Sequence, residues 1–150
     1  MYIMLHIFLT ASLMSTGLNT VDVFHKEMPP SQQTLEMVNT VLSEFADEYE
    51  IAYHLITDTA SSGIIQQYNL PGTHFPFAIT VNEKYSATIN EETIFFVHFP
   101  LFMHGIGRHE GNWSMDHLQQ VLANTSLLID ENIPPVLDES EETTECPEEE

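Results

Sequence analysis

The fold of this chain is decided by the stretch Thr20-Val21-Asp22-Val23-Phe24-His25-Lys26-Glu27-Met28-Pro29-Pro30-Ser31. Its first half is rich in β-branched and aromatic residues, which predicts a short strand over 20–25. The double proline cannot continue a β-ladder, but it suits the first turn of a helix, where a missing N–H is least costly. The stretch therefore predicts a strand that passes directly into a helix.

The residues after the double proline carry one apolar stripe. Its members recur at intervals of three and four residues: Leu35, Val38, Leu42, Phe45 and Tyr49. This spacing predicts a helix of roughly five turns. A buried strand is expected over 51–57, and Ser61 and Ser62 begin a short helix that carries Ile64, Ile65 and Tyr68. A strand–helix–strand order predicts parallel pairing of the first two strands.

The second half of the chain predicts a hairpin and a final helix. Phe75-Pro76 precedes a new apolar strand, and the chain turns at Asn82-Glu83 into another strand over 85–89. The final helix is capped by Ser114 and places four apolar residues on one face: Met115, Leu118, Val121 and Leu122. The predicted order is βαβα followed by ββα.

This order of elements resembles the thioredoxin family over about residues 20–127. The resemblance rests on Met28-Pro29-Pro30-Ser31, which stand where a thioredoxin has Cys-x-Pro-Cys, on residues 44–49 at the end of the first long helix, and on Pro76. It implies a thioredoxin-like three-layer α/β/α sandwich with a central mixed sheet. It also implies a cis Phe75-Pro76 bond that faces the junction at 28–31. The stretch 68–76 is longer than in typical thioredoxins, and residues 91–113 interrupt the passage from the hairpin to the last helix.

The thiols of a thioredoxin are missing from this junction. Thioredoxin-type exchange needs a low-pKa thiolate at a helix N-terminus and a second thiol that resolves the mixed disulfide. Met28 has no ionisable proton, Ser31 has only a hydroxyl, and the single Cys146 lies among carboxylates that disfavour a thiolate. Dithiol oxidoreductase activity is therefore not expected.

The resemblance implies that the surface around the missing thiols can still bind a partner. It implies a peptide-binding groove formed by six residues: Met28, Pro29, Pro30, Ser31, Phe75 and Pro76. The function predicted in this way is a redox-inactive protein-binding or assembly module. The alternative is that Pro30 and Pro76 only maintain the fold.

A second candidate region is the glycine-rich loop before the last helix. Its candidate functional residues include the only arginine and the only tryptophan of the chain: His104, Arg108, His109, Glu110 and Trp113. One alternative is a thioredoxin-superfamily enzyme that uses non-cysteine chemistry in the loop from Gly105 to Trp113. The other is a structural loop in which Trp113 packs on the core and Arg108 pairs with a carboxylate. His104, His109 and Glu110 supply ligand types for a metal, but their spacing matches no metal-binding motif, so a metal site is the least favoured alternative and no cofactor is expected.

Composition limits the partners. A chain of 150 residues with 43% hydrophobic content is enough for one core. Three basic residues against 23 acidic ones give a net charge of −20, which argues against a nucleic-acid partner and against an anionic membrane surface. The expected partner is a protein or peptide client.

The two ends of the chain differ from its middle. Residues 128–150 are predicted to form an acidic tail, disordered from about residue 131, because its carboxylates repel one another and it has little apolar material. The tail either only solubilises the chain or binds Ca²⁺ weakly. Residues 1–19 form an apolar N-terminal extension without the basic residues of a signal peptide. This favours a cytoplasmic protein whose translation starts at Met14, with an exported or membrane-tethered protein as the alternative.

Overall fold

The computed structural model describes residues 17–71, 75–101, 103 and 110–135. These residues form a mixed α/β structure, as predicted. Its helices and strands are, in chain order, β1 Asn19–His25, α1 Pro29–Ser43, β2 Tyr49–Leu55, α2 Ser62–Gln67, β3 Ala78–Val81, β4 Ser86–Ile89, β5 Glu92–Phe95 and α3 Met115–Ala123. Short 3-10 turns at Thr59–Ser61 and Thr125–Leu127 precede α2 and follow α3.

The strands form one mixed sheet and one hairpin. In the three-stranded sheet the order is β2-β1-β3, with β2 parallel and β3 antiparallel to β1. The predicted parallel pairing of the first two strands is therefore confirmed. The hairpin consists of β4 and β5, and residues 96–98 connect it to β3, because the N–H of Ile79 donates to the Phe96 carbonyl (2.9 Å) and the N–H of His98 donates to the Phe77 carbonyl (2.8 Å).

Side chains on β1 alternate between two hydrophobic clusters, as the two-residue period of a strand requires. Val21 and Val23 join the larger cluster, which contains residues of α1 and α3: Val38, Leu42, Leu118, Val121 and Leu122. Phe24 joins the smaller cluster together with Ile65 of α2 and Tyr68. The two faces of the three-stranded sheet thus pack against different helices.

Two predicted boundaries were wrong. Helix α1 ends at Ser43, and Tyr49 already begins β2. The apolar stripe runs past the end of the helix because the turn at residues 45–49 keeps one helix-like hydrogen bond. In it the N–H of Tyr49 donates to the carbonyl of Phe45, four residues earlier (3.2 Å). The expected hairpin at Asn82-Glu83 consists of a single bridge from Val81 to Lys84, and the longer hairpin includes β5, which lies in the stretch assigned to an insertion.

The last helix forms as predicted. The Ser114 hydroxyl accepts a hydrogen bond from the His117 N–H (3.3 Å), and the N–H of Ser114 donates to Nδ1 of His117 (3.2 Å). These two bonds form a capping box, with histidine in the place usually held by glutamate or glutamine. Leu118, Val121 and Leu122 are buried beneath it.

The start of the expected acidic tail belongs to the folded domain. Leu128 forms a bridge with Ala87, and the N–H of Ile129 donates to the Ser86 carbonyl (2.9 Å). Asn132 then uses its side-chain amide to donate to the carbonyls of Tyr68 (2.9 Å) and Glu83 (2.7 Å). We call residues 128–135 the C-terminal strap. The first residues of the predicted tail thus bond to the domain, and the rest of that tail, residues 136–150, lies outside the described residues.

Candidate functional site

The junction between β1 and α1 is held together by the hydroxyl of Ser31. This side chain is fully buried. Its Oγ accepts a hydrogen bond from the Lys26 N–H (2.8 Å) and donates to the Pro76 carbonyl (3.4 Å). The fold thus brings together Ser31 and Pro76, two candidate residues far apart in sequence, and it places the Ser31 hydroxyl away from solvent.

The six groove residues differ in accessibility. Phe75 and Pro76 are buried like Ser31, and the Phe75 ring lies edge-on to Phe24 at 6.5 Å. Met28 and Pro29 are exposed and Pro30 is half-buried. A partner at this junction would therefore contact the segment 28–30, while the other three residues support it from below.

The Phe75–Pro76 bond is trans, so the expected cis bond was wrong. The expectation came from family resemblance and not from any local signal, and trans is the lower-energy form of an X–Pro bond. The Pro76 carbonyl still reaches Ser31 in this geometry. The contact between the proline segment and the helix start therefore does not need a cis bond.

The first turn of α1 is also covered by the segment after β5. Thr34 is fully buried, and its hydroxyl lies 2.9 Å from the Pro30 carbonyl and 3.1 Å from Sδ of Met103. The hydroxyls of Ser31 and Thr34 are thus both held by protein groups inside the domain. The helix start presents apolar side chains to solvent and no reactive group of its own.

A polar network that sequence reasoning missed lies on the opposite face of the sheet. Asp22 is buried in β1, and its carboxylate lies 2.7 Å from Nε2 of His54, 3.2 Å from the Tyr68 hydroxyl and 3.5 Å from the Thr80 hydroxyl. The His54 ring stacks on Phe24 with centroids 4.9 Å apart. The only sequence signal was a carboxylate between two valines of a strand, because its partners come from three other elements.

The Tyr68 phenol of this network holds its proton firmly. Burial, followed by the charge of Asp22, raises the pKa of Tyr68 to about 12. The phenol is therefore a hydrogen-bond donor throughout the ordinary pH range and not a base. At the end of β1 and outside this network, burial lowers the pKa of His25, although the charge of Glu27 opposes that shift. The arrangement gives the buried Asp22 carboxylate the hydrogen-bond partners that a buried charge needs. These bonds also connect the three strands of the sheet with the end of α2.

The second candidate region is described only in part. His104, Arg108 and His109 lie outside the described residues, and so does the expected pairing of Arg108 with a carboxylate. Glu110 is exposed and forms a parallel bridge with Phe99. Trp113 is fully buried, stacks on Phe77 at 6.3 Å, and donates its indole N–H to the His98 carbonyl (3.1 Å). The prediction that Trp113 packs on the core is confirmed.

An open cavity of about 350 Å³ lies beside this region. Its walls include His98, Glu110, Gly111 and Asn112, with Pro135 of the C-terminal strap at one side. The Asn112 side chain accepts from the Phe95 N–H (2.9 Å) and donates to the Thr93 carbonyl (2.8 Å), so its amide completes the outer edge of β5. His98 has a φ of 69°, a left-handed conformation that is uncommon for residues other than glycine.

Neither a metal centre nor a membrane-spanning helix is found in the described ranges. They contain no group of three or more His, Cys, Asp or Glu side chains placed to hold a metal ion. None of the helices described is long and apolar enough to cross a bilayer. Comparisons with protein-family models, curated proteins and solved structures found no match.

Proposed function

We propose that this chain is a redox-inactive thioredoxin-like module that binds or assembles with another protein. One observation carries the proposal. At the helix start, the two positions where a thioredoxin has its thiols are held by Met28, which is exposed and has no ionisable proton, and by Ser31, whose fully buried hydroxyl is engaged with Lys26 and Pro76. A hydroxyl held in this way serves the fold, so a binding role fits the junction better than disulfide exchange does.

The packing supports the architecture included in this proposal. The larger hydrophobic cluster joins α1 and α3 to one side of β1, and the smaller one joins α2 to the other side. Helices on both sides of a mixed sheet fit a three-layer α/β/α sandwich. The strand order β2-β1-β3, with two parallel strands followed by an antiparallel one, fits the same arrangement.

The proposed contact surface is the segment 28–30. Met28 is 37% exposed at the N-cap of α1, and its side chain makes no capping hydrogen bond. An exposed methionine beside a rigid diproline offers an adaptable apolar contact at little cost in backbone entropy. Single exposed apolar residues are common, and a partner would therefore also need contacts around this segment.

The first test addresses chemistry. We expect neither the full chain nor its Cys146→Ser variant to reduce insulin disulfides with dithiothreitol as electron donor, because neither has a thiol pair at the helix start. An authentic thioredoxin measured alongside controls the assay. Reductase activity that survives Cys146→Ser would contradict the proposal.

The second test addresses binding. Affinity capture from cells that naturally make the protein would compare three forms: wild type, Met28→Asp, and the control Thr88→Asp, which changes an exposed residue of β4. We expect a partner retained by wild type and by the control but lost with Met28→Asp. Equal capture by all three forms would show that the segment 28–30 is not the contact surface.

A further inference from the structure

Among the described residues, strand β2 has an edge without a strand partner, which suits it to pairing with another strand. It is an outer strand of the three-stranded sheet, and no described residue pairs with its outer side. The N–H of Ile56 donates to the His25 carbonyl (2.9 Å), so even-numbered residues of this strand direct their backbone groups toward β1. Ile51, Tyr53 and Leu55 consequently direct their N–H groups outward.

Natural proteins usually protect such an edge, and the residues of β2 itself carry none of the usual protective features. Lysine, proline and β-bulges are the common devices that prevent pairing between edges. The strand reads Tyr-Glu-Ile-Ala-Tyr-His-Leu, with one carboxylate, no lysine and no proline, and it pairs with β1 along its whole length without a bulge. Tyr53 in its middle is 49% exposed.

The side chains of β2 suit antiparallel pairing with the β2 strand of a second copy. We propose that two copies of this chain form a symmetric dimer by antiparallel pairing of β2 with β2, with the two-fold axis at Ala52. This inference concerns a different surface from segment 28–30 and does not depend on the proposed function. In this register Ile51 lies opposite the partner's Tyr53, a β-branched residue against an aromatic one, and Glu50 lies opposite the partner's His54. Such cross-strand pairs are favourable ones.

The backbone at the two ends of β2 fits the same register. The N–H of Tyr49 is already bonded to the Phe45 carbonyl (3.2 Å), and the carbonyl of Leu55 already accepts from the Asp58 N–H (3.0 Å). In the proposed dimer Tyr49 lies opposite the partner's Leu55. Their remaining groups, the Tyr49 carbonyl and the outward N–H of Leu55, are then placed to bond across the axis, so every available group at this edge finds a partner.

Charge sets the strength of this dimer. Each copy carries a net charge of −20, which opposes association. Salt screens the long-range repulsion more than it weakens the backbone hydrogen bonds. We therefore expect the dimer dissociation constant to fall as sodium chloride is added.

The mass of the protein in solution is the first test. Sedimentation velocity over a range of concentrations should show the 17.1 kDa chain converting to a species of twice that mass. Tyr53→Lys should raise the dissociation constant by about tenfold or more, because symmetry removes two cross-strand pairs and adds two edge lysines. The matched control Thr88→Lys, at an exposed strand position outside β2, should not raise it.

A disulfide trap tests the register without disturbing the edge. Residues facing each other across the axis at Ala52 form a non-hydrogen-bonded pair with Cα atoms about 4.5 Å apart, within the range that a disulfide spans. In a Cys146→Ser background, Ala52→Cys should therefore give a cross-linked dimer under mild oxidation much faster than Glu50→Cys, whose two copies lie far apart in this register. Circular dichroism checks that each variant is folded.

The outcomes separate clearly. The proposal is overturned if the chain stays monomeric at all concentrations. This holds also if the edge of β2 binds an unrelated peptide but not a second copy of the chain. A dimer that persists in Tyr53→Lys places the interface elsewhere and overturns it too. Cross-linking through Glu50→Cys at the rate of Ala52→Cys overturns the register. Concentration-dependent dimerisation lost in Tyr53→Lys, with selective cross-linking at position 52, supports it.

Discussion

Removing the side chain of Asn132 should destabilise the whole domain. Its amide donates to the carbonyls of Tyr68 (2.9 Å) and Glu83 (2.7 Å), and its Oδ1 accepts from the Tyr85 N–H (3.3 Å). A hydrogen bond contributes about 0.5–1.5 kcal/mol to stability, and the third of these is long. We therefore expect Asn132→Ala to lower the free energy of unfolding by about 2–3 kcal/mol, a loss of roughly 5–10 °C in Tm.

Urea denaturation followed by circular dichroism would measure this change, with the m-value as a check that the denatured state is unaltered. Two further variants isolate the cause. Asn132→Asp keeps the acceptor but faces two carbonyls with a carboxylate, so it should destabilise at least as much as alanine does. Ile133→Ala, at a residue 59% exposed, should change little. A free energy for Asn132→Ala within about 0.5 kcal/mol of wild type would refute the reasoning, because surface substitutions commonly fall in that range.

Three further results are expected. A Cβ on Gly111 would lie 2.4 Å from the Val97 carbonyl oxygen, so Gly111→Ala should lower the free energy of unfolding by about 1–3 kcal/mol in chemical denaturation. Gly63 in α2 has open space around it, so Gly63→Ala should be neutral or stabilising. Equal effects of the two substitutions would contradict this account. Burial raises the pKa of Tyr85 to about 12, above its unfolded value near 10, so its contribution to stability is present below pH 10 and is lost as pH rises toward 12. Tyr85→Phe should weaken that alkaline loss in a pH series of unfolding curves, and an unchanged slope would count against it. Deleting residues 138–150 should leave Tm nearly unchanged while deleting 128–150 should lower it sharply, and similar midpoints for the two truncations would remove the role of the C-terminal strap.

Local sequence signals predicted the elements whose causes are local. The diproline marked the start of α1, and Ser114 marked the start of α3, because the residues that cap and begin a helix lie next to it in sequence. The end of α1 was missed because Phe45 and Tyr49 continued the apolar spacing through a turn. Periodicity records which side chains face the core and does not record where the backbone leaves the helix.

The parts that depend on distant contacts could not be predicted. Ser31 and Pro76 were both named as candidates, but only the fold shows that one is hydrogen-bonded to the other and that both are buried. Asn132 lies in a stretch whose composition suggested a solvated tail, and its partners are 47 to 64 residues away. Composition predicts whether a segment can form a hydrophobic core. It cannot reveal that one side-chain amide of the segment bonds to distant backbone groups of the domain.

The position of the C-terminal strap also bears on how the protein is made. The C-terminal strap leaves the ribosome after all the strands and helices of the described domain. The backbone groups of Tyr68, Glu83 and Tyr85 cannot form their hydrogen bonds with Asn132 before the strap emerges. Contacts between residues far apart in sequence form slowly, and chains waiting for them expose unpaired strand edges. During synthesis the edge of β2 that has no partner among the described residues is thus available to neighbouring nascent chains before the strap has bound. Chaperone binding to ribosome-attached chains that end before residue 128, and its loss once residue 135 has emerged, would be the cellular sign of this order.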